Sequence, residues 1–271
     1  MVKYFLDTEF IEGKQDKTIF GFKYGESKPT IDFISIGIIS EDNREYYAIS
    51  KDFNLKESWN RYQMKEIEFT EGAWRDSKEY WIREHMLKPI FDELKIKSLI
   101  DLEYIRSHFY TYGNSFTYKH LKDLIKWYGK TSKQIAEEVK DFVYKDVYHY
   151  QSNKVLYANK KRNTEALKNL YPDNVSFYTY YGAYDWVVFC WLFGKMIELP
   201  GGFPMYSNDL KQMIDEKAIR KDLKLAVKDS IPLKGLDQLK QHPNYPRQEN
   251  EHNALSDARW NKKLYEFIVR T

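Results

Sequence analysis

The stretch Lys3-Tyr4-Phe5-Leu6-Asp7-Thr8-Glu9-Phe10 decides the fold of this 271-residue chain, because it has the pattern of a core strand yet carries two acids. Side chains at i and i+2 of a strand share a face, so Asp7 and Glu9 are expected to point the same way. Neighbouring buried carboxylates repel each other unless a cation neutralises them. The stretch therefore predicts a site for Mg²⁺ or Mn²⁺, which prefer carboxylate oxygen and water. A strand with one polar, solvent-facing edge is the alternative interpretation.

A third acid, far from Asp7 and Glu9 in sequence, stands at a predicted junction between a strand and a helix. Residues 175–180 have the composition of a strand, and residues 187–193 form a run that is apolar on nearly all sides, as in a buried helix. Asp185 lies between them. Taken alone, Asp185 is best interpreted as the N-cap of the helix, which is a common role for aspartate. The other interpretation is a carboxylate that orients metal-bound water.

A histidine and a third aspartate lie near the end of the chain, in His252-Asn253-Ala254-Leu255-Ser256-Asp257. The apolar residues that follow have an approximately helical period, and Asn253 is the expected N-cap. His252 would then lie in the loop before the helix, and Asp257 in its first turns, facing inward. A histidine with a near-neutral pKa suits general-base catalysis, and an aspartate so placed suits metal ligation. An exposed histidine beside a surface aspartate is the simpler alternative.

The ordered set of these residues resembles a known family. Asp7-x-Glu9, then Asp185 after a strand, then His252-x-Ala254-x-x-Asp257, look like the three exonuclease motifs of the DEDDh, or DnaQ-like, 3′-5′ exonuclease superfamily. The segment from Phe203 to Gln212 is also similar to a branch of ribonuclease-T-like exoribonucleases. The similarity covers roughly residues 1–50 and 175–271. One departure is that members often follow the first acid pair with Thr-Gly, where this chain has Phe10-Ile11-Glu12-Gly13.

The resemblance implies a role for each residue. Asp7 would bridge two divalent metal ions, Glu9 and Asp257 would hold the ion that activates water, and Asp185 would orient the shell of the second ion. His252 would deprotonate the attacking water. Two such ions, Mg²⁺ or Mn²⁺, stabilise the attacking and leaving oxygens of an in-line displacement at a phosphodiester. The implied reaction removes nucleoside 5′-monophosphates from single-stranded 3′ ends, with RNA favoured over DNA by the branch resemblance alone.

The expected fold class is α/β, with a central mixed sheet flanked by helices as in the ribonuclease-H-like, DnaQ-like exonuclease fold. Residues 3–9, 31–39 and 44–49 are predicted to form three neighbouring strands, and helices are predicted at about 77–94 and 131–143. We expect a single exonuclease domain over residues 1–271, with helical insertions at about 51–80 and 97–172. The insertions are expected to shape a substrate channel or a homodimer contact.

Composition excludes fewer classes of protein than the motifs do. The net charge is only +3, and aromatic residues make up 17% of the chain, which leaves some of them available to stack on bases. Phe10 and Trp186 are the first stacking candidates because they adjoin the catalytic acids, and both are equally compatible with a place in the core. Cys190 is the sole cysteine, so a reducing compartment is expected. We expect a cytoplasmic location, because neither a signal peptide nor a membrane helix is evident.

Three further hypotheses remain open. The chain fits a single-stranded DNA exonuclease as well as an exoribonuclease, because no residue is identified that would contact a 2′-hydroxyl. It also fits a non-catalytic nucleic-acid-binding module on the same fold, or a nuclease-like domain that serves mainly as a protein partner. The complete set of four acids and one histidine favours the enzyme.

Overall fold

A five-stranded mixed sheet forms the centre of the structure, a computed structural model that describes residues 2–20, 22–70, 72–108, 115–144, 175–218 and 239–270. The strand order is β5-β4-β1-β8-β9. The strands are β1 (Val2–Gly13), β4 (Thr30–Ser40), β5 (Glu45–Ile49), β8 (Val175–Thr179) and β9 (Asn208–Asp209). Helices flank this sheet, so the predicted α/β class with a central mixed sheet is confirmed.

The sheet is mixed because its two sides are connected differently. β1 pairs in parallel with β8, from Val2 opposite Val175 to Phe5 opposite Tyr178, and β8 pairs in parallel with β9. β4 and β5 form a hairpin, in which the Ser40 N–H donates to the Arg44 carbonyl at 2.9 Å. A parallel pair needs a long crossover connection, whereas a hairpin needs only a short turn. The three neighbouring strands predicted from the sequence are therefore confirmed, with β8 added beside β1.

The middle strands are covered on both faces. Every residue of β8 is buried, and successive residues of β1 and β4 are buried as well. Consecutive buried residues in a strand mean that neither face meets water. The residues most deeply enclosed include Tyr4, Phe5, Leu6, Ile34, Ile36, Ile38 and Phe177. Burying one such aliphatic side chain is worth roughly 1.5–3 kcal/mol, so this layer fixes where the ends of β1 and β8 lie.

The chain divides into two compact units. The first comprises Met1–Thr8, Ile36–Ala48 and Lys133–Thr271, and the second comprises Glu9–Ser35 and Ile49–Ser132. Among the described residues, the first unit contains four helices and a short turn: α5 at residues 132–144, α6 (Ala183–Leu192), a 3-10 turn (Met196–Glu198), α7 at residues 210–218 and α8 (Ala254–Arg270). The first residue of α5, at position 132, belongs to the second unit. No helix among the described residues is long and apolar enough to cross a membrane.

Helix α8 closes one face of the sheet in the first unit. Its buried residues recur at helical spacing, and Leu264, Phe267 and Ile268 pack with Phe5 and Tyr178 of the sheet. Polar anchors fix its position, since the Asn261 side chain donates to the Leu6 carbonyl at 3.0 Å. The predicted cap is confirmed, because the Asn253 side chain accepts from the Ser256 N–H at 3.0 Å.

Gly37 lets the first turn of α8 sit directly on strand β4. A Cβ placed on Gly37 would lie 2.3 Å from the Ala254 carbonyl oxygen and 2.4 Å from Leu255 Cα. Both are backbone atoms of the helix, so a side chain there forces the helix to move. The absence of a side chain at this position therefore sets the distance between β4 and the turn that carries Asp257.

We expect Gly37→Ala to destabilise the protein by about 1–3 kcal/mol, the usual cost of overpacking a core. For a chain of this size, each kcal/mol lowers the melting temperature by about 2–4 °C, which thermal unfolding monitored by circular dichroism can measure. Gly25→Ala in β3 (Phe22–Glu26) is the matched control, because a Cβ on Gly25 would meet nothing within 4 Å. Equal melting temperatures for the two variants would contradict the close approach.

The second unit consists of hairpins and helices. Its elements are β2 (Asp16–Ile19) paired with β3, α1 (Leu55–Asn60), β6 (Gln63–Thr70) paired with β7 (Ala73–Glu79), a π-helical turn (Arg83–Leu87), α2 (Lys88–Ile100), α3 (Leu102–His108) and α4 (Tyr118–Tyr128). The predicted insertion at 51–80 was expected to be helical, but most of it is the β6–β7 hairpin. The alternating polar and apolar residues of Lys65-Glu66-Ile67-Glu68-Phe69 favour a strand. Residues 109–114 and 145–172 of the second predicted insertion lie outside the described residues.

The helix predicted at about 77–94 begins later and ends later. Residues 77–79 belong to β7, and helical structure runs from residue 81 to Ile100, with a π-helical turn at its start. Pro89 lies at the beginning of α2, immediately after that turn. Proline cannot donate a backbone hydrogen bond to the preceding turn, and a π-helical turn is one way to accommodate it. The spacing of the apolar residues correctly predicted which face of the helix is buried. It did not predict where β7 ends and the helix begins.

Candidate active site

Two carboxylates from the first strand come together with a third from the last helix of the chain. Asp7 and Glu9 extend from β1 and Asp257 from the first turns of α8, and one oxygen of each lies within 4.8 Å of the others. We call these three residues the carboxylate triad. Glu9 and Asp257 are each only 7% exposed. Three buried or half-buried carboxylates at this separation repel each other, and the donor set fits a hard divalent cation, which would neutralise that repulsion.

Asp257 is held by hydrogen bonds to both of its oxygens. The Gln248 side chain donates to Oδ1 at 2.7 Å, and the His252 backbone N–H donates to Oδ2 at 2.9 Å. Burial raises the pKa of Asp257, while these two hydrogen bonds lower it. The Asp257 carboxylate therefore has a fixed orientation, and burial destabilises its charged form. A bound cation would offset that destabilisation.

His252 lies in the turn directly before α8. Its backbone φ is +67°, in the left-handed region that non-glycine residues seldom adopt. In this conformation its N–H reaches Asp257, and Asn253 caps the helix. The half-buried His252 is therefore connected to the triad through its backbone, and the same turn sets the position of its ring.

Asp185 lies in the first turn of α6 and is tied to β1 rather than included in the triad. Its Oδ1 accepts hydrogen bonds from the backbone N–H of Thr8 at 2.8 Å and from the Thr8 hydroxyl at 2.7 Å. Thr8 stands between Asp7 and Glu9, so these bonds bring Asp185 to the strand that carries both acids. The grouping of carboxylates within 4.8 Å contains three of the four predicted acids, and Asp185 is the one outside it.

The N-cap interpretation of Asp185 is wrong, because the N-cap of α6 is Gly182. A Cβ on Gly182 would lie 1.7 Å from the Thr179 hydroxyl oxygen, so this close approach requires glycine. The Gly182 N–H donates to Asp209 Oδ2 at 3.2 Å. Asp185 is therefore the third residue of the helix and is available to Thr8. Negative charge in a first helical turn also interacts favourably with the helix dipole.

The pKa of Asp185 is raised to about 6, mainly by burial and in smaller part by the nearby charge of Asp209, while the hydrogen bonds from Thr8 oppose the shift. A carboxyl with a raised pKa keeps its proton in the folded state after the unfolded chain has lost it. Its contribution to stability is therefore present at low pH and is lost as pH rises from 3.8 to about 6.

We expect Asp185→Asn to raise the melting temperature of the metal-free protein more at about pH 8 than at about pH 5. Asparagine cannot ionise, and its amide oxygen can still accept both hydrogen bonds from Thr8. The measurement is thermal unfolding in chelator at both pH values. If the melting temperatures of the variant and the parent differ by the same amount at both pH values, the raised pKa of Asp185 is contradicted.

The two predicted stacking residues occupy different environments. Trp186 is buried, its ring stacks on Phe189 with centroids 4.9 Å apart, and its indole N–H donates to the Met205 carbonyl at 3.1 Å. Its ring is part of the core in this structure and offers no open face to a base. Phe10 is half-buried and follows the triad acids on β1. Tyr184, which precedes Asp185 on α6, is 49% exposed instead.

Sequence reasoning missed three residues that position the acids, namely Thr8, Gln248 and Asp209. Thr8 is part of the Asp7-Thr8-Glu9 motif, and its hydroxyl was a signal that could have been used. Gln248 lies in an irregular segment, so no periodic pattern marks it. Asp209 accepts from the Lys211 N–H at 2.7 Å as well as from Gly182, and therefore joins the start of α7 to the start of α6.

Comparisons with known proteins give distant relatives, and no family model matches the chain. Curated relatives from two strains of Mycobacterium tuberculosis, H37Rv and CDC 1551, are both named 3′-5′ exoribonuclease. Each is 22% identical over 273 residues, which covers 100% of this chain and 95% of the relative. The similarity therefore extends over the whole chain.

Proposed function

We propose that this protein is a metal-dependent 3′-5′ exonuclease of the DEDDh, DnaQ-like type with a ribonuclease-H-like fold, and that its substrate is single-stranded RNA. The observation that carries the proposal is the convergence of Asp7, Glu9 and Asp257 within 4.8 Å. Isolated acidic clusters are common, but here two of the three acids, Glu9 and Asp257, are buried, and the backbone N–H of His252 donates to Asp257. The relatives named 3′-5′ exoribonuclease support the same activity and favour RNA as the substrate.

The proposed mechanism assigns one task to each side chain. Two divalent ions, Mg²⁺ or Mn²⁺, supply charge stabilisation at the attacking and leaving oxygens of the phosphodiester when bound. Asp7, Glu9 and Asp257 would hold these ions, with Asp7 serving both positions and Glu9 and Asp257 serving the one nearer His252. Asp185 would orient the second position through its carboxylate, whose Oδ1 is fixed by Thr8.

His252 acts as the general base in this proposal. Its imidazole takes a proton from the attacking water, and the water oxygen forms a bond to phosphorus. The bond between phosphorus and the 3′ oxygen of the penultimate nucleotide breaks, and that oxygen takes a proton from solvent. The products are a nucleoside 5′-monophosphate and a strand with a new 3′-hydroxyl. Phe10 and the exposed Tyr184 are the aromatic residues placed to support terminal bases, and Trp186 is set aside because it is buried.

The experiment that tests the proposal uses 5′-labelled single-stranded RNA and DNA of identical sequence. Each is incubated with the protein in Mg²⁺, Mn²⁺ or chelator. We expect a ladder that shortens from the 3′ end only when metal is present, with RNA degraded faster than DNA. Faster degradation of DNA would instead support the single-stranded DNA exonuclease.

A strand that stays intact would favour a non-catalytic function. If the protein still binds the labelled strand, a nucleic-acid-binding module on the same fold becomes the better hypothesis. If it binds neither metal nor nucleic acid, the better hypothesis is a nuclease-like domain that acts through protein partners. Labelled nucleoside 5′-monophosphate in the reaction with 3′-labelled RNA identifies the direction and the bond cleaved.

A further inference from the structure

Asn261 joins helix α8 to strand β1 at the residue before Asp7. It is 1% exposed, and its side-chain amide donates to the Leu6 carbonyl at 3.0 Å. The nitrogen of an asparagine amide is its only donor, so this bond determines the orientation of the amide. The Leu6 carbonyl belongs to the peptide group that ends at the Cα of Asp7. Because a peptide group is planar, the bond from Asn261 also constrains where the Asp7 side chain begins.

The peptide group on the other side of Asp7 is held in a similar way. The Thr8 N–H belongs to the peptide that joins Asp7 to Thr8, and it donates to Asp185 Oδ1 at 2.8 Å. The parallel ladder between β1 and β8 reaches Phe5. Past that residue, side chains of two helices, α8 and α6, bond the backbone of β1. Asp7 therefore lies between two peptide groups that side chains hold in place.

Asn261 also lies one helical turn after Asp257. The two residues are four apart on α8, both are buried, and residues at this spacing lie on one face of a helix. About 6 Å separates them along the axis, at 1.5 Å per residue. A single turn of helix thus connects the amide that holds the Asp7 backbone to the Asp257 carboxylate. The contact of Asn261 with Leu6 therefore constrains the separation between two members of the carboxylate triad.

The hydrogen bond of Asn261 contributes little to stability when its side chain is considered as a whole. Asn261 Oδ1 is buried and has no hydrogen-bond partner among the described residues. A buried acceptor without a partner costs free energy. Leucine, which has nearly the same shape, would remove both the bond to Leu6 and the unsatisfied oxygen. These two changes affect the free energy of unfolding in opposite directions, so the main consequence of asparagine at this position is geometric.

We propose that Asn261 is a positioning residue of the candidate metal site, which holds Asp7 and Asp257 at the separation that a divalent cation requires. This inference rests on the proposed function, which makes the carboxylate triad a metal site. Residues that orient metal ligands without touching the metal typically contribute about 10–100-fold to metal affinity. Loss of the Asn261 amide should weaken cation binding by about that factor.

The test measures Mn²⁺ binding in the absence of nucleic acid, from the electron paramagnetic resonance signal of the free ion. Asn261→Leu should raise the dissociation constant for Mn²⁺ by about 10–100-fold. Its melting temperature in chelator should stay close to that of the parent, because the two effects on stability oppose each other. Asn261→Ala should weaken Mn²⁺ binding by a similar factor, and it serves as the second variant if leucine does not fit.

Two controls remove buried contacts that do not involve the backbone beside Asp7. Asn208→Leu removes a bond of the same kind, in which the Asn208 amide donates to the Phe177 carbonyl at 3.1 Å. Lys262→Met removes another anchor of α8, in which the Lys262 Nζ donates to the Glu41 carbonyl at 2.8 Å. Both controls should lower the melting temperature and keep the Mn²⁺ affinity of the parent.

The outcomes separate this inference from the proposed function. Parent-like Mn²⁺ affinity in the Asn261 variants, or equal losses in the controls, would overturn the positioning role, and RNA shortening by the parent would still support the exonuclease. Weaker Mn²⁺ binding in the Asn261 variants alone, with no shortening of RNA by the parent, would uphold the positioning role and overturn the exonuclease. Failure of both Asn261 variants to fold would show that the bond serves stability and would overturn the positioning role. Absence of Mn²⁺ binding by the parent would overturn both proposals.

Discussion

Replacing Asp7 with asparagine should reduce exonuclease turnover by about 10³-fold or more. Metal-assisted charge stabilisation is worth several kcal/mol, and each ~1.4 kcal/mol is a factor of ten in rate. Asp7 is the member of the carboxylate triad proposed to contact both ions, so no remaining residue replaces it. Asparagine has the same shape but only one good oxygen donor and no charge. The loss should appear in kcat as well as in kcat/KM, because the charge acts on the transition state.

The fold should survive this substitution, because it removes a charge that two other carboxylates repel. In the parent, Mg²⁺ or Mn²⁺ is expected to raise the melting temperature, since a ligand that binds only the folded state stabilises it. That increase should be largely lost in Asp7→Asn. Asp141→Asn, an exposed aspartate on α5, is the control and should behave as the parent in both assays. Turnover of Asp7→Asn at the rate of the parent would remove Asp7 from the metal site.

The second large effect is expected from His252→Asn, with turnover lowered by about 10²–10⁴-fold, the usual contribution of a positioned general base. Asparagine is the appropriate replacement because it tolerates left-handed backbone better than most residues, and φ at this position is +67°. The backbone N–H that holds Asp257 is therefore preserved. Metal affinity, measured by the metal-dependent melting temperature, should change little.

A histidine that acts as a ligand would give a different result. Loss of the metal-dependent stabilisation together with the loss of turnover would make His252 part of the metal site. His85→Asn, an exposed histidine of the second unit, is the control and should retain both the rate and the metal-dependent stabilisation.

The central strands and the last helix could be predicted from the sequence because hydrophobic pattern determines them. β1, β4 and β8 are rich in aliphatic and aromatic residues, and such segments are typical of strands covered on both faces. α8 shows helical spacing, and Asn253 is a strong local signal for its start. The pairing of Asp7 with Glu9 on one face followed from strand geometry alone.

The orientation of residues on α6 could not be predicted in the same way. This helix is apolar on nearly all sides, so no period distinguishes the side of Trp186 from the side of Tyr184. The structure buries the first and exposes the second because the core formed by Phe177 and Phe189 lies on one side. Trp186 was therefore named as a stacking candidate from its position beside Asp185 alone, without a signal for the side of the helix on which it lies.

Asp185 posed a related difficulty. Whether an acid near a helix start acts as a cap depends on which residue begins the helix. Here that residue is determined by the fit of Gly182 against Thr179 and by the left-handed backbone of Tyr181, with φ +54°. Both are tertiary features that a local propensity does not contain. The same holds for Gly37, whose contact with α8 joins positions more than two hundred residues apart.

The burial of Cys190 has a practical consequence for spectroscopy. The chain has a single native thiol, it is 5% exposed, and burial raises its pKa, so little reactive thiolate forms at neutral pH. A cysteine introduced at an exposed position such as Lys122 or Tyr184 would therefore accept a maleimide dye or spin label almost exclusively. The unmodified protein therefore already has the low thiol reactivity that distance measurements between labels on helices α4 and α6 require.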